Sequence, residues 1–414
     1  MRKSRPEDDA HPAVRSHELR SDARGIREIY LTGTAPVSPD SCAPAAAVFR
    51  AIASSLVANR GLIFAERIFG PAALLPLLAG IRRGEYGPLD DGVEPAWLAS
   101  DFGVGGSSCA ILVHALAGAE DISLIRADRR ALGRSVAVAG QRFTALSALS
   151  VPDAGSAPEQ AAAALRLAAT ALRQGGSGVQ SIVRTWFWLR DILAWYAPFN
   201  AVRTDFYRGQ GVLPPGEHPW RVPASTGVGI GAAGAGACAL DLIAVDSPAR
   251  PVECFASIGN QRCPVAYGSA FSRAVRAPSP AGETTFVSGT AAVDADGLTV
   301  DVGDPAAQIH ATLDNVRAVL RDLSCRDEEV VQSVVYCKSA EVEREFHRMV
   351  PAYPWPGIVV RGDICRSDLL FEVEVTACRG ARRAVLPTRF SRASHSANSK
   401  VSGTDAWPGS VHSL

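Results

Sequence analysis

Leu369-Leu370-Phe371-Glu372-Val373-Glu374-Val375-Thr376 has the period of two that a strand requires. Leu369, Phe371, Val373 and Val375 share one face; Leu370, Glu372, Glu374 and Thr376 share the other. Working back from it, Val342 to Val350 reads as a helix and Val330 to Tyr336 as a strand. Ile309, Leu313, Val316 and Leu320 fall at i, i+4, i+7 and i+11, the buried stripe of another helix. Phe286 to Ala291 reads as an opening strand. The order β-α-β-α-β predicts a compact α+β unit whose apolar strand face covers the helices. The second face has two readings. Open to water, both acids need no further account. Packed against another domain, Glu372 sits between apolar walls, and desolvation makes its carboxyl an acid usable near neutral pH.

An internal repeat bears on that choice. Residues 160–246 follow the organisation of 308–377: a helix from Gln160 with Leu165, Ala169 and Leu172 on one stripe, a strand to Trp186, a helix, and a closing strand at Ala239 to Val245. Aligned with Leu370 to Thr376, that strand sets Asp241 opposite Glu372. Two copies can pack their sheets together, which favours burial of Glu372.

From Arg27 to Gly118 the pattern is mixed, with strands expected at Ile29 to Leu31 and Ala110 to Leu116 and helices at Ala45 to Val57 and Arg67 to Leu78. Gly103-Val-Gly-Gly-Ser-Ser108 lacks the Lys-Ser/Thr of a phosphate loop and reads as a turn. Gly229-Ile-Gly-Ala-Ala-Gly234 is a formal GxGxxG, but a strand follows it where a dinucleotide site needs a helix, so it reads as a flexible hairpin. The predicted organisation is a disordered tail over 1–24, an N-terminal domain over 25–250 with its repeat at about 120–246, a linker over 251–264, a C-terminal domain over 265–379 and a disordered tail over 380–414.

The 42 basic and 42 acidic side chains of the 414 residues balance, which argues against a nucleic-acid partner. Nine cysteines, an odd number without a CxxC pair, read as reduced thiols of a cytoplasmic protein. No apolar leader segment opens the sequence, and the longest uncharged apolar run, Ile68 to Ile81, contains two prolines and falls short of the ~20 residues of a membrane span. The eight histidines show no metal-binding spacing, and no Gly-x-Ser-x-Gly elbow suggests a serine hydrolase. What stands out is an aromatic stretch with interleaved guanidinium groups: Arg184 to Arg190, then Trp195-Tyr196, Phe199-Asn200, Arg203 and Phe206-Tyr207. It reads either as core aromatics with surface arginines or as a pocket clamping a small carboxylate, with Tyr267 and Arg273 as further lining candidates.

The second copy, with Ser288-Gly-Thr-Ala291, Gln308, Asp314-Asn315 and Glu372-Val-Glu374, resembles the YjgF-like imine-deaminase fold, whose members form trimers. Their deaminase arginine has Ile358 in its place, in Pro356-Gly-Ile358. A wider set of motifs resembles the chorismatases over most of residues 120–378: Thr185-Trp-Phe-Trp-Leu189, Trp195-Tyr-Ala-Pro-Phe-Asn200 with Arg203, Pro223-Ala-Ser-Thr-Gly227, Phe271-Ser-Arg-Ala274, Ser288 to Ala291 and Asp363 to Glu372. The resemblance implies tandem YjgF-like (chorismate mutase-like) α/β domains with sheets packed at the inter-domain interface. It further implies cleavage of chorismate to pyruvate and a cyclic carboxylate, a secondary-metabolite starter unit, without metal or cofactor and in a monomer or a homo-oligomer such as a trimer. Glu372 would be the proton donor. Arg203, Tyr196, Tyr207, Gln261, Tyr267, Arg273, Ala274 and Cys365 would hold the substrate, with Ala274 and Cys365 beside the ring. Cys365 matches the branch in which the ring hydroxyl attacks and 3-hydroxybenzoate forms, Ala274 does not match it, and attack by water would give a dihydroxy-cyclohexadiene acid; Cys365 also reads as a buried core thiol. The alternatives to a chorismatase are a non-catalytic metabolite-binding regulator of the same fold and an imine or enamine hydrolase.

Overall fold

The computed structural model describes residues 12–384 apart from 22, 120–121, 128–129, 215 and 217–220. Of the predicted tails, 1–11 and 385–414 lie outside the described residues. The rest forms three units of one topology, where the sequence had suggested two.

The first unit comprises β1 (Ala13–Ser21), β2 (Ile26–Pro36), α1 (Ala43–Asn59), β3 (Gly61–Gly70), α2 (Leu75–Tyr86), β4 (Ala96–Ala99) and β5 (Ser108–Ala117). The second comprises β6 (Ile122–Ala127), β7 (Arg130–Val138), β8 (Gln141–Leu149), α3 (Ala157–Gln174), β9 (Ile182–Leu189), α4 (Ile192–Gly209), β10 (Ala224–Val228), β11 (Gly231–Ala232) and β12 (Cys238–Asp246). The third comprises β13 (Glu253–Phe255), β14 (Ala274–Pro278), β15 (Glu283–Ala291), α5 (Pro305–Asp322), β16 (Val330–Cys337), α6 (Ala340–Met349), β17 (Gly357–Arg361) and β18 (Phe371–Cys378), followed by β19 (Arg382–Ala384). In every unit a hairpin leads to helix, strand, helix and a strand parallel to the last. The final strand then inserts antiparallel between the hairpin and the first post-helix strand, giving the orders β1-β2-β5-β3-β4, β7-β8-β12-β9-β10 and β14-β15-β18-β16-β17.

Each sheet shows one face to its own helices. Phe371, Val373 and Val375 pack there against Ile309, Val316 and Leu320 of α5, as their alternation requires. Each such side chain taken out of water contributes about 1.5–3 kcal/mol. The other faces meet in one central core to which all three units contribute, among them Phe69, Val136, Trp186, Trp188, Phe286 and Tyr336. No described helix is long and apolar enough to cross a membrane.

Five local expectations need correction. Ala13–Ser21, assigned to a disordered tail, is β1, an inner strand paired on one side with β2 and on the other with β19 from the chain's far end. Arg67 to Gly70, read as helical, ends β3; pairing with β4 and β5 overrides the helical propensity of the run, and the helix begins only at Leu75. The glycine-rich segment is no free hairpin: β11 adds to the first unit's sheet beside β4, and Gly229 N–H donates to Asp363 O (2.7 Å). The span read as a linker contains β13, which pairs with β14. Strand register also shifts the repeat alignment: Asp241 lies across from Trp186 as Glu374 lies across from Val334, so Asp241 is the counterpart of Glu374.

Candidate active site

The inner face of β18 carries Glu372 and Glu374 into the contact between the second and third units. Glu374 is tied down: Arg184 Nη2 donates to Oε2 (2.7 Å), and Trp186 Nε1 (2.9 Å) and Arg67 Nη1 (3.3 Å) donate to Oε1. Both guanidiniums also lie over the Trp186 ring, 4.1 and 4.5 Å from its centroid. Three units thus meet at one carboxylate.

Glu372 differs in kind. It is buried, and among the described residues no group donates a hydrogen bond to it. Burial first, and the Glu374 charge second, push its carboxyl up to about 8, against opposing pulls from Arg184 and Arg273. Gly289 makes the room: a Cβ there would collide with Glu372 Oε1. That glycine lies in the irregular stretch of β15 between Val287 and Thr290, and its N–H donates to Thr226 Oγ1 (3.1 Å), which also accepts from Arg184 (2.6 Å).

The facing wall is α4. Asp191 turns the chain in a left-handed conformation (φ 53°), and the helix breaks at Trp195 (φ −146°), so Pro198 falls in the first turn after the break, where its missing N–H costs little. Beyond the break Tyr196, Asn200, Arg203 and Tyr207 follow at i, i+4, i+7 and i+11, one stripe of the helix. Arg203 is buried; it donates to Asn200 Oδ1 (2.6 Å) and Ser225 Oγ (3.4 Å), and its Nε has no partner. Arg273, just before β14, donates to Arg262 O (3.0 Å) and Tyr267 Oη (2.6 Å), and burial lowers its pKa. Both guanidiniums lie 5.6 Å from the centroid of Phe271. Among the described residues neither has an acidic hydrogen-bond partner, so two buried cations stand uncompensated around Phe271, and Arg273 is close enough to act on the Glu372 carboxyl. An anionic ligand would relieve them.

Cys365 completes the group. Burial, then the Glu372 charge, raise its thiol to about 12, and it interacts with Tyr196, whose hydroxyl is raised by burial and then by Cys365. The ring of Tyr267 lies below Arg273 and Arg366. Glu372, Arg203, Arg273, Tyr196, Tyr267 and Cys365 therefore come together from separate parts of the sequence.

Three other expected site residues do not join them directly. Ala274 packs in the core under α5, because it alternates with Arg273 onto the helix face of the sheet. The amide of Gln261 is spent on Ala291 O (3.0 Å) and Val293 O (2.8 Å), and so braces the strand end opposite Glu372. Tyr207 lies in the second unit's core one turn beyond Arg203, with burial raising its hydroxyl to about 12. Sequence reasoning missed Asn200 as a partner of Arg203, although both stood in the aromatic stretch. It also missed Arg67, whose strand had been read as helix. A separate cavity near the meeting of the three sheets, lined by Tyr30, Arg67, His114, Trp186, Asp241 and Gln332, does not include Glu372.

Comparison with known proteins agrees with this architecture. Residues 264–378 match the family model described as Endoribonuclease L-PSP. A crystal structure of a chorismatase superposes with a TM-score of 0.55 at 18% identity, covering 77% of this chain and 93% of that one. Shorter matches include a putative endoribonuclease from Thermotoga maritima (TM-score 0.22, 23% identity, 26% of this chain and 84% of that one). Another is the YjgF gene product from E. coli (TM-score 0.21, 21% identity, 30% and 93%). No curated protein matches the chain. The chain has the fold of a chorismatase, with a C-terminal unit that matches the Endoribonuclease L-PSP family.

Proposed function

We propose that this protein cleaves chorismate to pyruvate and 3-hydroxybenzoate, with Glu372 as proton donor. One observation carries the reading: among the described residues, a buried carboxyl free of hydrogen bonds lies in one group with two buried guanidiniums that lack acidic partners. Chorismate is a dicarboxylate with an enolpyruvyl ether, so it offers an anion to each arginine and a basic methylene carbon to the acid. Planar guanidinium groups suit carboxylates in bidentate contact.

Glu372 delivers its proton to the methylene carbon, which becomes a methyl group, and the ether oxygen shares the charge of an oxocarbenium ion. A carboxyl raised to about 8 still holds that proton near neutral pH. The neighbouring ring hydroxyl attacks the ring carbon that bears the ether, whose C–O bond breaks to release pyruvate; the attacking oxygen then leaves its original carbon, and loss of a ring proton gives the phenol and restores Glu372. This route consumes no water. Attack by water would instead consume one and leave a dihydroxy-cyclohexadiene acid. The apolar, half-buried Cys365 beside Glu372 supports the internal route, since it offers no strong acceptor to hold an attacking water.

The test is to mix purified protein with chorismate, follow pyruvate by a coupled assay, and identify the ring product by chromatography. Pyruvate with 3-hydroxybenzoate is expected. Pyruvate with the diol would overturn the internal route, and no pyruvate from folded protein would overturn the reaction itself. Thermal stabilisation by chorismate without turnover would then point to a binding protein.

A further inference from the structure

We infer that Glu374 is a positioning residue for Glu372: by engaging Arg184, Arg67 and Trp186 it keeps those donors off the neighbouring carboxyl, so that Glu372 remains a proton donor. The inference rests on the reaction proposed above and concerns how its acid is maintained.

The geometry is that of two acids two residues apart on one strand face, about 7 Å along the strand. They share one burial but not one set of neighbours. Glu374 takes the hydrogen bonds of two cations and an indole; Glu372 takes none among the described residues. Arg184 reaches between them, since its Nη2 serves both Glu374 and Thr226, and Thr226 accepts from Gly289, over which Glu372 lies. Arg184 Nη1 is buried without a partner and so has a donor to spare if Glu374 lets go. The charged and titratable groups facing Glu372 are Glu374 on its own strand, Arg184 on β9, Arg273 before β14, Tyr336 on β16 and Cys365 in the loop before β18. Of these only Glu374 brings a negative charge that opposes ionisation of Glu372 while also restraining the nearest cation. Remove it, and Arg184 becomes a counter-ion for Glu372. The acid would then give up its proton to solvent at lower pH.

The experiment follows the ionisation of Glu372 directly, without substrate. Protein labelled with 13C at glutamate carboxyls is titrated by NMR, with the Glu372 signal assigned by its loss in Glu372→Gln. In Glu374→Gln the Glu372 midpoint is expected to fall by at least one pH unit. The basic limb of the pyruvate-release profile moves down with it, while KM stays within a factor of about two. An unchanged or higher midpoint, with activity reduced equally at every pH, would overturn the inference and leave Glu374 a structural tie. Should Glu374→Gln not fold, Arg67→Met gives the opposite sign: one counter-charge is lost from Glu374, and the Glu372 midpoint rises. No movement in that variant would equally overturn it. A wild-type protein in which the two acids couple as described but chorismate is untouched would uphold the coupling and reject the reaction.

Discussion

Glu28 and Glu372 are both buried carboxyls at contacts between units, and their surroundings drive them in opposite directions. Glu28, on β2, ties the first unit to the third: its Oε1 accepts from Ser279 Oγ (2.6 Å) and Ala281 N–H (2.9 Å), and its Oε2 meets His114 Nε2 (2.9 Å) and Tyr30 Oη (3.1 Å). Burial alone would raise its pKa, but His114, Ser279 and Ala281 outweigh it and hold the carboxyl below the ordinary range. Glu372, between the second and third units, has the burial without the donors and is pushed up to about 8. Burial by itself makes neither a structural tie nor an acid; the count of donors decides. Register extends the contrast. Across from Tyr336 stands Glu372, but across from Trp188 stands Ala239, and across from Phe69 stands Ala110. Where the carboxyl is replaced by a methyl group, the rings of Phe69 and Trp188 meet edge to face at 5.7 Å.

The largest effect that could break this contrast is on catalysis. Glu372→Gln should lower pyruvate release about 10³-fold with its melting temperature retained, the scale of a lost general acid. Asp241→Asn, in the second unit's equivalent of the Glu374 position, should stay within a few-fold in the same assay. Equal losses would mean that the repeats do not divide their tasks.

Next comes stability. Glu28→Ala leaves His114 and the Ser279 turn without their acceptor and should cost about 3 kcal/mol in urea unfolding at pH 7, with pyruvate release per folded molecule unchanged. Because Glu28 is held below its unfolded value, its stabilisation is present above that value, about 4.5, and is lost as pH falls through the depressed one. The gap between wild type and variant should therefore narrow toward pH 3.

Gly289→Ala sharpens the geometric side of the contrast. Its methyl group must displace the Glu372 carboxyl, and a shift on the order of 1 Å lowers kcat about 100-fold. An unchanged kcat would show that the carboxyl works from another position.

The sign of the Glu372 shift gives a smaller, opposite effect. A carboxyl raised above its unfolded value holds more protons when folded, so the protein loses stability as pH climbs from about 4.5 to about 8. Glu372→Gln keeps the neutral form at every pH. It should be more stable than wild type by about 1–3 kcal/mol at pH 8 and show little difference at pH 4.5. Smallest is Cys365→Ala, expected to change the ratio of diol to 3-hydroxybenzoate less than tenfold while total pyruvate holds. A constant ratio would remove Cys365 from the choice of product.

The third unit was legible because its strands alternate cleanly and its helices carry single apolar stripes, as in Phe371 to Val375 and Ile309 to Leu320. The first unit was not. In β1 the polar residues Ser16, His17 and Glu18 are buried by pairing with β2 and β19, which their residue types do not announce, and the helix formers of β3 become a strand only through their partners in β4 and β5. The alignment of Asp241 with Glu372 was two residues off because the register is set by pairing with β9 and β16, which leaves no trace in residue type. Ala274 was placed beside the substrate by resemblance to the chorismatases, whereas pairing in β14 turns it onto the helix face.

Residue order alone determined the α+β class, a repeated unit, the acidic pair on one strand face and the arginines spaced along an aromatic helix, because periodicity and side-chain chemistry are local properties. Only the tertiary structure decided that there are three units, that Glu374 receives the donors while Glu372 receives none, and that Arg203 and Arg273 share one ring. Those outcomes depend on which side chains arrive from distant segments, and a carboxyl's proton affinity is set by those arrivals.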